Sequence, residues 1–380
     1  MIKPDKIFVL LGWVVIFSMA LGAAWTTKRL TNNASGSYKA AIAVNGGNVY
    51  VVWYDYATGT AEIFFRKSSD NGVTWQLKKR LSNNAGYSSC PTIAVSGTNV
   101  YVTWEDDSPG NEEIYLRRST DSGATWQAAK RLTNNSGFSG SPAIAADGAN
   151  VYVVWSDNTP GNEEIFFRKS ADYGATWSAS SCISNNSGSS GCVDIAVYSN
   201  KIYVVWKDET SGHRQILFRK STDGGATWNL VKQLTNVSGS AYTENPSIAL
   251  DGTSIYVAWV DNHTDYYDHA LYVRRSIDSG ASWQASKRVT DDSRQPFMQD
   301  MAVCDSKICL VWLEDAPGNW EVYFCKSIDS GANWQSIQRL TNNSGMSWEP
   351  SIAVNTNKVF VTWRDNTPGN TEIYLKFSPL

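Results

Sequence analysis

The chain has 380 residues, a formal net charge of −3 from 33 Lys+Arg against 36 Asp+Glu, and 17 Trp, 18 Tyr and 12 Phe beside only 3 His. So aromatic a composition excludes a disordered chain, and the balanced charge excludes a nucleic-acid binder, which needs a basic excess to contact phosphates. With 42% hydrophobic residues there is ample material for a core.

The N-terminus carries Lys3 and Lys6, an uncharged apolar run from Ile7 to about Leu21, and the small residues Gly22, Ala23 and Ala24. This layout predicts a signal peptide over residues 1–24, cleaved after Ala24. The expected location is extracellular or at the cell surface. Membrane contact is expected only if the segment from Ile7 to Trp25 stays uncleaved as an anchor. Six cysteines fit an oxidising compartment. Spacing allows a Cys182–Cys192 bridge and either Cys304–Cys309 or Cys309–Cys325, while Cys90 has no local partner. Without CxxC pairs or clustered histidines, no metal or cofactor is expected.

An aromatic strand ending in tryptophan recurs at Trp53, Trp104, Trp155, Trp206, Trp259, Trp312 and Trp363, at intervals of 51, 51, 51, 53, 53 and 51 residues. Between these strands runs a turn of pattern SxDxGxTW at 68–75, 119–126, 170–177 and 221–228, with variants at 276–283 and 327–334. Residues 25–380 therefore read as one domain of seven repeats, not the two or three domains that length alone suggests. In the third repeat, strand A is expected at 143–146, B at 151–155, C at 164–169 and D from Trp177 into Ile183, with DNTPGN at 157–162 as the B–C loop. Four short strands per repeat and no helical pattern predict an all-β fold, a seven-bladed β-propeller of four-stranded antiparallel blades. The seventh repeat stops after strand C at 372–377, whereas 25–33 matches strand D elsewhere. An N-terminal strand is thus expected to complete blade seven and close the ring.

The SxDxGxTW turn resembles the Asp-box, or bacterial neuraminidase repeat, of sialidase-like β-propellers, and the resemblance covers essentially all of 25–380. The Asp accepts backbone N–H groups within the turn, Gly permits a positive φ, and Trp packs between blades. In that family the boxes join strands C and D on the face opposite the active site. The resemblance therefore implies that Asp70, Asp121, Asp172, Asp223, Asp278 and Asp329 are structural. Sialidases of this architecture also carry a FRIP-type motif, three arginines for the substrate carboxylate, a Tyr nucleophile with a Glu partner, and an Asp acid/base. This chain has no FRIP-like segment, and seven repeats where that family usually has six blades.

A residue present in every blade most simply serves the blade. Glu62, Glu113, Glu164, Glu321 and Glu372 recur at the start of strand C, and Arg80, Arg131, Arg339 and Arg29 on strand D. They read as surface ion pairs worth about 0.2–1 kcal/mol each; in blade 4 both partners are Gln, Gln215 and Gln233. An acid follows two residues after each strand-B Trp: Asp55, Asp106, Asp157, Asp208, Asp261, Glu314 and Asp365. These read as loop-initiating turns, or alternatively as a carboxylate ring holding a cation such as Ca²⁺.

What breaks the repeat lies in blades 4 to 7: Arg214, Tyr242 and Glu244, Tyr266 and Tyr267, Asp291, Asp292 and Arg294, Trp320, Trp348 and Glu349, and Arg364. The divergent loops all belong to the B–C and D–A classes, on the face opposite the Asp-boxes. Aromatic planes beside carboxylates and arginines suit sugar rings. The expected ligand-binding set is Trp320, Trp348, Glu349, Arg294, Tyr266, Tyr267, Glu244 and Arg364, with no catalytic residue assigned. Thirteen of the 17 tryptophans belong to blade architecture, Trp13 to the signal segment and Trp25 to the closing strand, which leaves Trp320 and Trp348.

The function expected is a binding module for glycans or glycosylated surfaces, acting through blades 5–7 as a monomer without nucleic-acid partners. The alternative is a sialidase-like glycoside hydrolase. There Arg214, Arg294 and Arg364 hold an acidic sugar, Tyr242 or Tyr266/Tyr267 works beside Glu244, and Asp291 or Asp292 is the acid. A third reading is a cell-envelope propeller that binds other proteins. Sequons stand at Asn33, Asn134, Asn185, Asn236, Asn262 and Asn342.

Overall fold

Runs of β-branched and aromatic residues, broken by Gly- and Asn-rich turns, pair antiparallel with their neighbours in each repeat. The computed structural model describes residues 24–236, 242–262, 269–291, 294–315 and 318–380. In blade 1, strand A is Ser37–Asn45, B is Asn48–Asp55, C is Glu62–Ser68 and D is Lys79–Arg80. Seven four-stranded sheets repeat this order, making a seven-bladed propeller. In the seventh, Thr26–Arg29 pairs with Glu372–Pro379, Thr26 opposite Phe377 and Arg29 opposite Tyr374. The N-terminal strand closes the ring as expected.

Two strand boundaries differ from the sequence reading. Strand D of blade 3 pairs only over Ser181–Cys182. Its chain bonds back at Ser178 N to Lys169 O (2.8 Å) and at Ile183 N to Ile165 O (2.7 Å), but arcs away between them. Strand A of the same blade is longer than expected, Ser139–Asp147, because it continues through a bulge between Gly140 and Ala143. Every blade has this bulge. Its left-handed residue, 14 positions before the strand-B Trp, is Lys39, Cys90, Ser141, Cys192, Asn245, Met298 or Glu349, with φ of +47° to +54°. A bulge at this place bends strand A and re-aims its side chains.

The core lies between blades. The strand-B tryptophans are buried, and box tryptophans rest edge-on against a Phe of the preceding blade: Trp126 on Phe65, Trp228 on Phe167, Trp283 on Phe218, at 5.0–5.1 Å. Trp25 does the same on Phe324 at 5.2 Å. The box glycine is required at this contact, since a Cβ on Gly123 would sit 2.5 Å from Phe65 at φ +82°. Each box Asp is consumed by its own turn. Asp70 accepts hydrogen bonds from Ser68 Oγ, Thr74 N and Thr74 Oγ1, which hold its carboxyl down at about 2.

Three expectations change. The strand-C glutamates are not surface residues: the Glu62 side chain is fully buried and accepts from Arg80, Ser82 Oγ and Asn84 N. The six cysteines are free thiols. Cys325 stands opposite Leu310, so it projects from the sheet face opposite to that of Cys309, and Cys309 itself pairs with Ala302 rather than Cys304. Cys182 lies on the outermost strand of blade 3 and Cys192 on the innermost strand of blade 4. Of the sequons, Asn262 is buried and Asn33 spends its amide on Asp55 and Ser37; Asn134, Asn185, Asn236 and Asn342 are exposed.

Candidate functional site

The acids that follow the strand-B tryptophans are buried, and protein donors occupy their oxygens. Asp157 accepts from Trp155 Nε1 (3.0 Å), Asn135 Nδ2 (2.8 Å), Ser139 Oγ (2.8 Å) and Thr159 N (2.9 Å). Asp55, Asp106, Asp208 and Asp365 repeat the pattern. These carboxylates organise the loops, and no group of three or more potential metal ligands occurs among the described residues.

The arginines proposed for a carboxylate grip are bound to carboxylates of the protein itself. Arg214 pairs with Glu209 and Glu244. Arg294 lies 2.7 Å from buried Glu314 and stacks over Tyr323. Blade 6 has Glu instead of Asp at this place and Pro296 where other blades have Ser or Thr, so Arg294 supplies the donors that its loop otherwise lacks. Arg364 lies 2.9 Å from Glu349. The three belong to separate ion pairs, one between blades 4 and 5 and one each at blades 6 and 7. Tyr266, Tyr267 and Asp292 lie outside the described residues.

Trp320 and Trp348, by contrast, are brought together. Their ring centroids are 5.1 Å apart, although Trp320 ends the B–C loop of blade 6 and Trp348 lies on strand A of blade 7. Phe297 meets Trp320 at 5.8 Å, and buried His269 meets Phe297 at 5.7 Å. On the other side the Arg364 guanidinium covers both Trp348 (5.7 Å) and Tyr38 (5.3 Å). Tyr38 stacks on Tyr54 at 5.4 Å; both contact Tyr56, which contacts Tyr87 at 6.4 Å. An aromatic arc bridged by Arg364 thus runs from blade 5 through blades 6, 7 and 1 to blade 2, with Tyr56 and Tyr87 exposed. Beside it, Met346, Trp348, Arg364, Asn366 and Thr371 line a recess of about 240 Å³.

Sequence reading placed this surface on blades 5–7 and missed Tyr38, Tyr54, Tyr56 and Tyr87. The signal was present 15 residues before each strand-B Trp: Tyr38, Ser89, Gly140, Gly191, Glu244, Phe297 and Trp348. Their cross-strand partners are Tyr54, Glu105, Ser156, Lys207, Val260, Leu313 and Arg364. The rim is therefore aromatic on blades 6, 7 and 1, and small or polar on blades 2 to 4.

Below the rim, the bulge residues and the two residues after each, only one in blade 3, line a central channel with a cavity of about 400 Å³. Lys39 Nζ lies 3.3 Å from Cys90 Sγ, and Lys39 N donates to Glu349 at 2.8 Å. Burial nevertheless pushes the Cys90 thiol up to about 11. Burial, reinforced by Glu349 and Tyr56, also drives the Tyr54 hydroxyl well above its ordinary value. Both stay protonated near neutrality, the opposite of an activated nucleophile. Asp194 reaches about 7 through burial and the nearby Asp300, against bonds from Ile248 N and Ile195 N.

Residues 91–284, just over half of the chain, match the family described as BNR repeat-like domain. No curated protein sequence matches. Among solved structures, the polysaccharide lyase Uly1 is similar with a TM-score of 0.60 and 11% identity, over 92% of this chain and 91% of that one. The phage phi92 endosialidase gives 0.54 and 10%, over 94% and 69%. Trypanosoma rangeli sialidase gives 0.53 and 12%, over 94% of this chain but only 60% of its own. At these identities the likeness is one of fold.

Proposed function

This chain belongs to the BNR repeat-like domain family, and from that premise we propose that it is a glycan-binding propeller whose upper face, on blades 6, 7 and 1, holds a sugar chain. The aromatic arc carries this reading. On either side of Arg364, ring-to-ring steps of 5.1–6.4 Å are comparable to the length of one sugar residue, and the apolar faces of pyranose rings lie well on such platforms. Because Arg214, Arg294 and Arg364 are each held by a protein carboxylate, the favoured ligand is an uncharged chain rather than an acidic terminal sugar. The similar enzymes of glycan chemistry support the ligand class. Residues 1–24 are proposed to export the protein, so that the ligand is extracellular or cell-surface glycan. A glycan microarray probed with residues 25–380 tests the reading: neutral oligosaccharides should bind the wild type and lose binding with Trp348→Ala. Retention of uncharged-chain binding by that variant would exclude it.

A further inference from the structure

A cavity of about 730 Å³ lies not on the face opposite the Asp-boxes but in the flank between blades 2 and 3. Its walls are Arg131, Leu132 and Arg168, and its floor is Trp155, Asp157 and Phe166. The same site exists two repeats earlier, every wall residue shifted by 102 positions: Arg29, Leu30 and Arg66 line a cavity of about 310 Å³ between blades 7 and 1. There the floor is occupied. Lys78 lays its ammonium over the Phe64 ring, 4.6 Å from the centroid, and 3.7 Å from Asp55 Oδ2. Phe64 is accordingly buried, whereas its counterpart Phe166 is only partly buried. Blade 3 has Ala179–Ser180 in place of Leu77–Lys78, and these short side chains leave the floor open.

We propose that the cavity between blades 2 and 3 binds a primary alkylammonium group, seated over Phe166 and directed at Asp157 as Lys78 is seated over Phe64 and directed at Asp55. The wall arginines do not forbid a cation. Arg131 pairs with Glu113, and Arg168 bonds the carbonyls of Ser178 and Leu132. Arg29 and Arg66 do the same with Glu372, Gln76 and Leu30 beside a resident lysine. An aromatic face with an ionised carboxylate beside it attracts an ammonium by its quadrupole and its charge together. Burial raises the Asp157 carboxyl, but the bonds from Thr159, Trp155 and Ser139 outweigh it and hold the group below its ordinary value, so the anion persists.

The test is calorimetric titration with n-butylammonium, with 1-butanol as the uncharged control. Ala129 and Ser286 leave the matching places in blades 2 and 5 short as well, so the diagnostic quantity is the change in the number of sites. Ser180→Lys should remove one butylammonium site per chain, and Lys78→Ser should add one, both with unchanged thermal melting. Phe166→Leu should weaken butylammonium at the blade 3 site at least tenfold while leaving 1-butanol unaffected. Titration with Nα-acetyl-lysine amide separates the sources: matching affinity identifies a lysine side chain on a polypeptide, and lost binding identifies a free amine. A site number unchanged by both Ser180→Lys and Lys78→Ser, or equal affinity for 1-butanol, would overturn the proposal.

Discussion

Trp320 and Trp348 stand on different blades, yet their rings meet at 5.1 Å with planes tilted by 47°. Neither tryptophan recurs in the repeat, and both rings are only partly buried where they pack on the core between blades 6 and 7. Each ring supports the other's orientation, and the two should act as a unit in ligand binding. A double-mutant cycle of Trp320→Ala and Trp348→Ala on glycan affinity should give a coupling of about 0.5–1.5 kcal/mol. Strictly additive losses would mean that the rings act independently.

Trp25 on Phe324 and Arg29 on Glu372 hold the closing strand. Trp25 also donates from Nε1 to Gln338 at 3.0 Å. Trp25→Ala should lower unfolding free energy by about 2–3 kcal/mol. Removal of residues 25–33 should cost more, because buried Glu372 then loses Arg29, Thr31 and the Asn33 N–H. Urea denaturation measures both, and equal stability of the truncated and intact chains would refute closure by this strand.

The pairing of buried Glu62 with partly exposed Arg80 predicts an asymmetry. Glu62→Ala should destabilise by about 3 kcal/mol, since it strands Arg80 and the hydroxyl of Ser82. The double substitution Glu62→Gln with Arg80→Gln should cost less than half of that. It recreates the blade 4 arrangement, where Thr235 Oγ1 donates to Gln215 and Gln233 donates to the Thr235 carbonyl. Denaturation midpoints of the two variants decide the matter.

Asp194 gives a pH dependence of definite sign. Its folded carboxyl titrates near 7, raised first by burial. Between about pH 4 and 7 the native state therefore holds a proton that the unfolded chain has released. Stability from this group is full below pH 4 and falls as pH rises to 7. Asp194→Asn should flatten that decline in denaturation curves taken at pH 4, 5.5, 7 and 8. The box aspartates act oppositely: Asp70, held at about 2 by Ser68 and Thr74, contributes above pH 4 and loses its contribution as pH falls toward 2. An unchanged slope in Asp194→Asn would place the titration elsewhere.

Much of this was readable before folding. The seven Trp-ended strands and six Asp-boxes gave the blades, and the match of 25–33 to strand D gave the closure. Trp320 and Trp348 were found because they depart from a repeat whose other tryptophans are accounted for. Tyr38 and Tyr54 escaped because they sit inside regular strands of blade 1. Only ring closure, which sets strand A of blade 7 against strand A of blade 1, makes them neighbours of Trp348. The arginines misled for a related reason: Glu314 and Glu349, which hold Arg294 and Arg364, lie 20 and 15 residues away in sequence, a distance that spacing alone does not bridge. The Cys309–Cys325 bridge failed on register, since one residue of offset between Cys309 and Leu310 reverses the sheet face.

The most direct test of the glycan-binding arc is titration of one neutral oligosaccharide series into the wild type and into Tyr38→Ala, Tyr87→Ala and Trp348→Ala. Affinity for the wild type should rise with chain length. Trp348→Ala should lose about 2 kcal/mol, roughly thirtyfold, on every ligand, whereas Tyr87→Ala should weaken only the longer chains. Wild-type affinity in all three variants, with the fold intact by circular dichroism, would contradict the account.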